Sequence, residues 1–307
     1  MKSASFVDPQ ALMRIKSLHV RARIIVQGFL SGLHRSPSHG FSVEFSEYRP
    51  YTPGDDTRSI DWRLYARSDR YFLKKFEEET NLRCHVLLDL SRSMGFGTLA
   101  YSKADYARTA AATLAHFLAA QRDAVGLITF ADTPLDYLPA RYRPGHLQRL
   151  TVCLEKAVTG TSTDLAAPLQ QIARTVRKRG LLVLVSDLLS DVATLQTQLQ
   201  YLRSQGHEIV ILRVLDPAEV DFPFTEATTF VDTETGRDVY VDPAAARERY
   251  KANFAKHAAD LDTACAALGV DLHTIVTSRP MELALYDFVQ SRAHRATQPL
   301  RAGGGRA

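Results

Sequence analysis

Short apolar runs alternate with segments of helical periodicity from residue 82 to residue 277. Each run has the length of a strand and is rich in branched aliphatic residues, as buried strands are. Between the runs, apolar residues recur at every third or fourth position, which is typical of one helix face. This alternation predicts an α/β fold with a doubly wound, mainly parallel sheet flanked by helices. The predicted strands cover residues 84–89, 124–130, 181–187, 209–215 and 271–277.

Two further patterns lie outside this alternation. Apolar spacing over residues 12–29, with arginine and lysine between the apolar positions, predicts a basic amphipathic helix. Such a helix either packs on its own domain or lies on a membrane surface. Residues 230–242, with Thr235 and Gly236 at the centre, predict a hairpin insertion before a long helix. The chain is therefore predicted to contain a smaller N-terminal α+β region at 1–81, the sheet domain at 82–291 and a flexible Arg/Gly tail at 292–307.

Composition agrees with a globular protein, because 45% of the 307 residues are hydrophobic and 23% are charged. The longest apolar stretches are far shorter than the roughly 18 to 20 residues of a membrane-spanning helix, and no apolar signal core follows the N-terminus. We therefore expect a cytoplasmic protein without a membrane span. The three cysteines are scattered along the chain and are expected to be reduced.

The formal net charge of +4 is located in the tail. After Asp287 the chain holds four arginines and no acidic residue, so the remainder of the chain is electrically balanced. We expect no nucleic-acid partner on this basis. A weak nucleic-acid-binding protein that uses the tail and the basic N-terminal helix remains an alternative, and its binding would weaken steeply with salt. The four arginines are Arg292, Arg295, Arg301 and Arg306.

Oxygen-bearing side chains follow two of the predicted strands and one loop. The first strand ends in Asp89, with Ser91 and Ser93 at alternate positions after it, and a later strand ends at Asp187. Thr163 lies in a loop before a predicted helix. Because the carboxyl ends of parallel strands meet at one edge of a sheet, these side chains are expected to converge. An all-oxygen set suits a hard cation such as Mg²⁺ or Mn²⁺, although single Ser or Asp residues in such loops often cap helices instead.

These five residues together resemble the metal-ion-dependent adhesion site of von Willebrand factor A domains. The resemblance covers roughly residues 83–290 and implies that Ser91 and Ser93 ligate the metal directly. It implies that Asp89 and Asp187 mostly orient waters, and that Thr163 joins or leaves the coordination shell. An acidic residue of a partner protein would complete that shell.

A longer resemblance begins upstream. Residues 48–62, 66–67, 76–79 and 88–94 resemble the domain-of-unknown-function 58 family, and together with the sheet domain they cover nearly the whole chain. Members of that family are typically encoded beside MoxR-type AAA+ ATPases and are thought to act as adaptors or co-chaperones. Many carry two N-terminal transmembrane helices, whereas we expect none in this chain. The resemblance therefore implies an adaptor or co-chaperone that works with a MoxR-type AAA+ ATPase and binds a client protein offering a carboxylate to the metal.

The upstream motif has two interpretations of equal weight. Its charged residues alternate in sign, which suits a salt-bridged turn packed against the main domain. Exposed aromatic and arginine side chains are also good anchors for a partner protein. The candidate partner-binding residues are Asp55, Asp56, Arg58, Asp61 and Trp62.

An enzyme is the main alternative to a binding protein. Asp89 at the end of a strand could act as the nucleophile of a Mg²⁺-dependent phosphatase of the haloacid dehalogenase type. Such enzymes carry a second aspartate two residues later as general acid, and this chain has Ser91 there. We therefore predict a non-enzymatic, metal-dependent adaptor.

Overall fold

The computed structural model describes residues 7–33, 48–50, 65, 70–74, 82–157, 165–231 and 237–296. The chain divides into two compact units, of which the larger combines Met1–Gly32 with Leu82–Ala307 and the smaller is Leu33–Asn81. The first long helix therefore belongs to the same unit as the sheet, which differs from the predicted grouping of residues 1–81. The difference arises because the helix buries its apolar face, including Leu18 and Ile25.

Ten strands lie in the described part of the chain. All five predicted runs form strands, and the predicted doubly wound, mainly parallel sheet is confirmed. The strands are β1 (Tyr48–Pro50), β2 (Phe72–Lys74), β3 (Arg83–Asp89), β4 (Ala124–Phe130), β5 (Pro134–Arg141), β6 (Leu181–Ser186), β7 (Glu208–Leu215), β8 (Thr228–Val231), β9 (Asp238–Val241) and β10 (Asp271–Val276).

Nine α-helices are found among the same described residues, and a short 3-10 helix covers Arg92–Gly95. None of these helices is long and apolar enough to cross a membrane. The α-helices are α1 (Pro9–Met13), α2 (Leu18–Leu33), α3 (Lys103–Ala120), α4 (His146–Leu154), α5 (Ala166–Thr175), α6 (Val192–Ser204), α7 (Pro217–Asp221), α8 (Pro243–Leu268) and α9 (Met281–Ala296).

Strand order in the central sheet fixes where the strand ends meet. The order is β10-β7-β6-β3-β4-β5, with five parallel strands and β5 antiparallel at one edge. β3 is the first strand of the sheet in the chain and pairs with both β4 and β6, so its two neighbours come from different halves of the sheet. Ligands of open α/β sheets bind at such a switch in strand order. The carboxyl ends of β3 and β6 therefore lie side by side, and each ends in polar residues.

The core lies between the buried strands of the sheet and the apolar faces of the helices that cover it. Leu87, Leu184 and Ile211 from the sheet join Leu169 and Leu199 from two covering helices in one buried cluster. Each of these side chains is at most 1% exposed. This packing holds the strands rigidly and so fixes the loops at their carboxyl ends.

The apolar face of the N-terminal helix α2 packs against helix α3 and is not exposed to solvent. Phe29 meets Phe117 of α3 edge to face, with ring centroids 5.8 Å apart. His19 and His116 form a second ring contact between the same two helices at 4.6 Å. Of the two interpretations of this helix, the structure supports docking on its own domain.

Two small strand pairs complete the described elements. β8 and β9 form the predicted antiparallel hairpin, with Thr228 opposite Val241. In the smaller unit, β1 pairs antiparallel with β2. The Tyr65 and Tyr71 rings stack there at 4.5 Å.

Candidate metal centre

Asp89 lies at the carboxyl end of β3 and is held by two hydrogen bonds. Its Oδ1 accepts from the backbone N–H of Ser91 at 2.8 Å, and its Oδ2 accepts from the Ser186 hydroxyl at 2.6 Å. The side chain is only 1% exposed. Because Ser186 is the last residue of β6, this bond ties together the ends of the two neighbouring strands that the sequence predicts to converge.

The two serines after Asp89 place their hydroxyl oxygens together. Ser91 Oγ and Ser93 Oγ are 3.2 Å apart, and both residues are buried. Ser91 occupies the N-cap position of the 3-10 helix, yet its side chain makes no capping hydrogen bond. A capping role therefore does not account for the Ser91 hydroxyl, which contacts the Ser93 hydroxyl instead.

Asp187 follows β6 directly and is also buried, at 1% exposure. Its Oδ1 accepts from the Leu189 N–H at 3.3 Å. Leu188, between them, has a positive φ of 55°. This left-handed conformation is unfavourable for a leucine, and its N–H donates to Ser186 Oγ at 3.1 Å. The turn is thus shaped by local hydrogen bonds, and it holds the charge of Asp187 near enough to Asp89 to raise the pKa of that carboxyl.

Lys103 brings a buried positive charge to Asp187. Its Nζ lies 2.7 Å from Asp187 Oδ2 and 2.6 Å from Glu219 Oε1, and its side chain is fully buried. Lys103 is the first residue of α3, where the positive end of the helix dipole disfavours a cation. The two carboxylates offset that repulsion and the loss of hydration, and together they raise the pKa of Lys103 despite the opposing effect of burial.

Arg213 is a second buried cation at this end of the sheet. Its Nε donates to the backbone carbonyl oxygen of Asp187 at 3.2 Å, and its guanidinium lies 5.3 Å from the centre of the Phe254 ring. Burial lowers the pKa of this guanidinium, while the charges of Asp187 and Glu219 oppose the shift. Arg213 thus holds the backbone of the Asp187 turn rather than its carboxylate.

Negative charge exceeds positive charge in this cluster. Asp216 is fully buried after β7 and accepts from the Thr98 hydroxyl at 2.6 Å and the Thr98 N–H at 2.9 Å. Four carboxyl groups and two cationic side chains make up this cluster, which is a formal excess of two negative charges when all six groups are ionised. The carboxylates are Asp89, Asp187, Asp216 and Glu219, and the cations are Lys103 and Arg213.

Electrostatic strain is concentrated at Asp89. Burial raises the pKa of its carboxyl, and the nearby charge of Asp187 raises it further. Hydrogen bonds from Ser186 and Ser91 oppose that shift. A divalent cation would relieve both the repulsion and the excess charge, and hydroxyl and carboxylate oxygens are the donors that Mg²⁺ prefers. The residues present therefore fit a hard cation.

The described residues include no group of three or more His, Cys, Asp or Glu side chains suited to a metal ion. A metal centre at this edge consequently depends on serine hydroxyls. The described part of the chain brings together Asp89, Ser91 and Ser93 on one loop, with Ser186 linking Asp89 to the strand that precedes Asp187. Thr163 lies outside the described residues. So do Asp55, Asp56, Arg58, Asp61 and Trp62, and these residues stay predictions.

Several residues of the cluster were not predicted from the sequence, although local signals mark some of them. Arg213 interrupts a buried apolar strand, which is unusual unless the charge has a partner. Asp216 and Glu219 form a capping box at the start of α7, a spacing visible in the sequence. Nothing in the local sequence indicates that Lys103 reaches Asp187.

Comparisons with known proteins agree with the resemblance in the sequence. A family model described as protein of unknown function DUF58 matches residues 47–260. The uncharacterized protein Rv1480 of Mycobacterium tuberculosis is 28% identical over 294 residues, which span 94% of this chain and 92% of that protein. The uncharacterized protein MAV169 of Mycobacterium avium is 30% identical over 152 residues, which span 49% of this chain and 88% of that protein.

Two solved structures are similar to this chain over about two thirds of its length. An aerotolerance-related membrane protein from Bacteroides fragilis has a TM-score of 0.44 and 16% identity, covering 68% of this chain and 98% of that chain. The VWA domain of SpRpn10 has a TM-score of 0.39 and 14% identity, covering 66% and 94%. At these values the similarity says nothing about function.

Proposed function

The chain belongs to the family described as protein of unknown function DUF58, and on that premise we propose that it is a non-enzymatic adaptor whose sheet domain binds a partner protein through a divalent cation. The cation, Mg²⁺ or Mn²⁺, would be held by Ser91 and Ser93, with Asp89 and Asp187 beside it. The observation that carries this proposal is the pair of buried serine hydroxyls 3.2 Å apart. They lie at the carboxyl end of β3, close to a cluster that contains more carboxyl groups than cationic side chains.

Each residue would have a distinct task. The hydroxyl oxygens of Ser91 and Ser93 would contact the cation, and Thr163 would join or leave the coordination shell as the partner binds. The carboxylates of Asp89 and Asp187 would supply negative charge and orient water. Ser186 and the Ser91 N–H hold Asp89 in place, which keeps its two oxygens from rotating freely. A bound cation supplies an electrophilic centre that a carboxylate of a partner can contact.

The proposed partners follow from the family. We propose a MoxR-type AAA+ ATPase as the functional partner and a client protein that offers an acidic side chain to the cation. The residues Asp55, Asp56, Arg58, Asp61 and Trp62 would provide a further contact with either protein. We place this interaction in the cytoplasm, where the free cysteines of the chain would remain reduced.

The first experiment measures thermal unfolding of the full chain with and without Mg²⁺ or Mn²⁺. A ligand that binds only the native state at 100 times its dissociation constant adds about 2.7 kcal/mol to the unfolding free energy. We expect this stabilisation in the wild type and its loss in the Ser91→Ala/Ser93→Ala double variant. Ser204→Ala is the matched control, because that hydroxyl contacts the Tyr201 carbonyl oxygen at an exposed position of α6. A wild type that does not respond to either metal argues against the site.

A second experiment tests the partnership. The full chain is used to capture a purified MoxR-type AAA+ ATPase in the presence of Mg²⁺, and the capture is repeated with Asp89→Ala and in chelator. Capture that is lost in both cases supports a metal-dependent adaptor. Equal capture in all three samples would remove the metal centre from the interaction.

A further inference from the structure

A cavity of about 280 Å³ lies at the amino end of β3, whereas the candidate metal centre lies at its carboxyl end. We name it the His85 cavity. Its lining comes from the start of β3, from β5, and from the segment that follows α5, including Arg83, His85, Tyr137, Arg177 and Lys178. Pockets for small molecules begin at roughly 300 Å³. At about 280 Å³ the His85 cavity lies close to this lower bound, which suits a ligand of few atoms.

His85 is a polar side chain that lines this cavity without a hydrogen-bond partner. It is only 6% exposed, and in the described part of the chain neither ring nitrogen has a partner. A buried polar group left without a partner costs about 1–3 kcal/mol. A ligand that accepts a hydrogen bond from the ring would remove this cost.

The space for the imidazole depends on a glycine. Gly126 is the direct neighbour of His85 in the β3–β4 register. A Cβ at Gly126 would lie 2.6 Å from Cδ2 of His85 and 2.7 Å from the backbone nitrogen of Ala140. A side chain at this position would therefore displace the ring or the adjoining edge strand. Glycine at position 126 therefore leaves space for the His85 ring.

The charges around the His85 cavity select an anion. Arg83, Arg177 and Lys178 line it, and the described lining residues include no acidic side chain. Burial, followed by the charges of His207 and Arg83, lowers the pKa of His85 to about 4. The ring is therefore neutral at neutral pH and carries one N–H donor. Three cations match a dianion better than a single carboxylate charge, and arginine also binds phosphate oxygens in pairs.

We propose that the His85 cavity binds the phosphoryl group of a small phosphorylated molecule. In this arrangement His85 donates a hydrogen bond to a phosphoryl oxygen, while Arg83, Arg177 and Lys178 neutralise its charge. The ring of Tyr137 lies nearly parallel to the His85 ring, with an interplanar angle of 13°, and offers an apolar face to the rest of the ligand. This site is separate from the metal centre, and it stands or falls independently of the adaptor function.

The test titrates the full chain with inorganic phosphate and with pyrophosphate at constant ionic strength. Heat of binding and the NMR signals of the imidazole rings are followed together. The pocket variant is Arg177→Gln/Lys178→Gln, which changes only exposed side chains and should fold normally. The matched control is Arg249→Gln/Lys251→Gln, which removes the same charge from exposed positions on α8, a helix that contacts the opposite edge strand β10. A His85→Leu variant removes the donor and keeps an apolar side chain of similar bulk.

We expect each anion to bind the control variant as tightly as it binds the wild type. In both proteins, binding should shift the NMR signals of the His85 ring. The pocket variant should bind at least about tenfold more weakly, a difference of about 1.4 kcal/mol, and His85→Leu should also bind more weakly. Equal binding by the pocket and control variants would show general surface attraction and overturn the proposal. So would an absence of binding, an unchanged His85 signal, or malonate binding as tightly as phosphate.

Discussion

Replacing Lys103 by methionine tests the electrostatics of the candidate metal centre. The Lys103 ammonium group is fully buried and contacts Asp187 at 2.7 Å and Glu219 at 2.6 Å. Methionine keeps most of the apolar stem but removes the charge, so both carboxylates would lose their shared cation. Removing one member of a buried ion pair costs about 3–5 kcal/mol, because the other member stays buried and uncompensated.

This loss is measurable as a change in melting temperature. For a domain of 150 to 250 residues, 1 kcal/mol shifts the midpoint by about 2–4 °C. We therefore expect metal-free Lys103→Met to unfold roughly 6–20 °C below the wild type. Lys156→Met is the matched control, because Lys156 pairs with Asp136 at 2.5 Å while its own side chain is 54% exposed. An exposed pair contributes at most about 1 kcal/mol.

The same variant should respond more strongly to metal. Lys103 and a divalent cation would compete for the negative charge of Asp187, so removing the lysine should tighten binding. Each 1.4 kcal/mol of relieved repulsion corresponds to a factor of about ten in the dissociation constant. We expect Lys103→Met to bind Mn²⁺ at least about tenfold more tightly, measured by calorimetry and by the rise in melting temperature with Mn²⁺.

Two results would refute this reasoning. A metal-free Lys103→Met variant as stable as Lys156→Met would mean that the buried ion pairs do not exist in solution. A folded Lys103→Met variant that binds Mn²⁺ more weakly than the wild type would mean that the lysine builds the metal centre instead of competing with it.

Three further predictions concern other contacts. Ser186→Ala should lower the unfolding free energy by about 1.5–3 kcal/mol in a urea titration, because it removes a donor to a buried carboxylate. Burial and then the charge of His19 lower the pKa of His116 to about 4. The unfolded ring titrates near 6.5, so this depressed pKa removes stability as the pH falls from about 6.5 to 4, by at most about 3 kcal/mol. His116→Phe should reduce the difference in stability between pH 7 and pH 5, and an unchanged difference would exclude this histidine as the cause. Phe29→Ala should destabilise the protein by about 3–5 kcal/mol in the same titration, since it empties the buried site that the ring fills against Phe117.

The sequence alone determines the elements of the sheet and the main candidates for metal binding. Buried strands appear as continuous apolar runs, and this signal is local, so all five parallel strands can be read from the chain. The positions of Asp89, Ser91, Ser93 and Asp187 follow, because parallel strands bring their carboxyl ends to one edge. The edge strand β5 could not be predicted in this way, because its exposed and half-buried positions form no apolar run.

Only the tertiary structure decides how the buried charges are paired. Lys103 lies 84 residues before Asp187 and 116 residues before Glu219, and no local period links positions so far apart. Likewise, Arg213 could have served any neighbouring turn, and the register of β6 and β7 places it beside Asp187. Local patterns determine which residues are buried, whereas the packing of distant elements determines which charges meet. For that reason the balance of charge at the candidate metal centre is visible only in the folded chain.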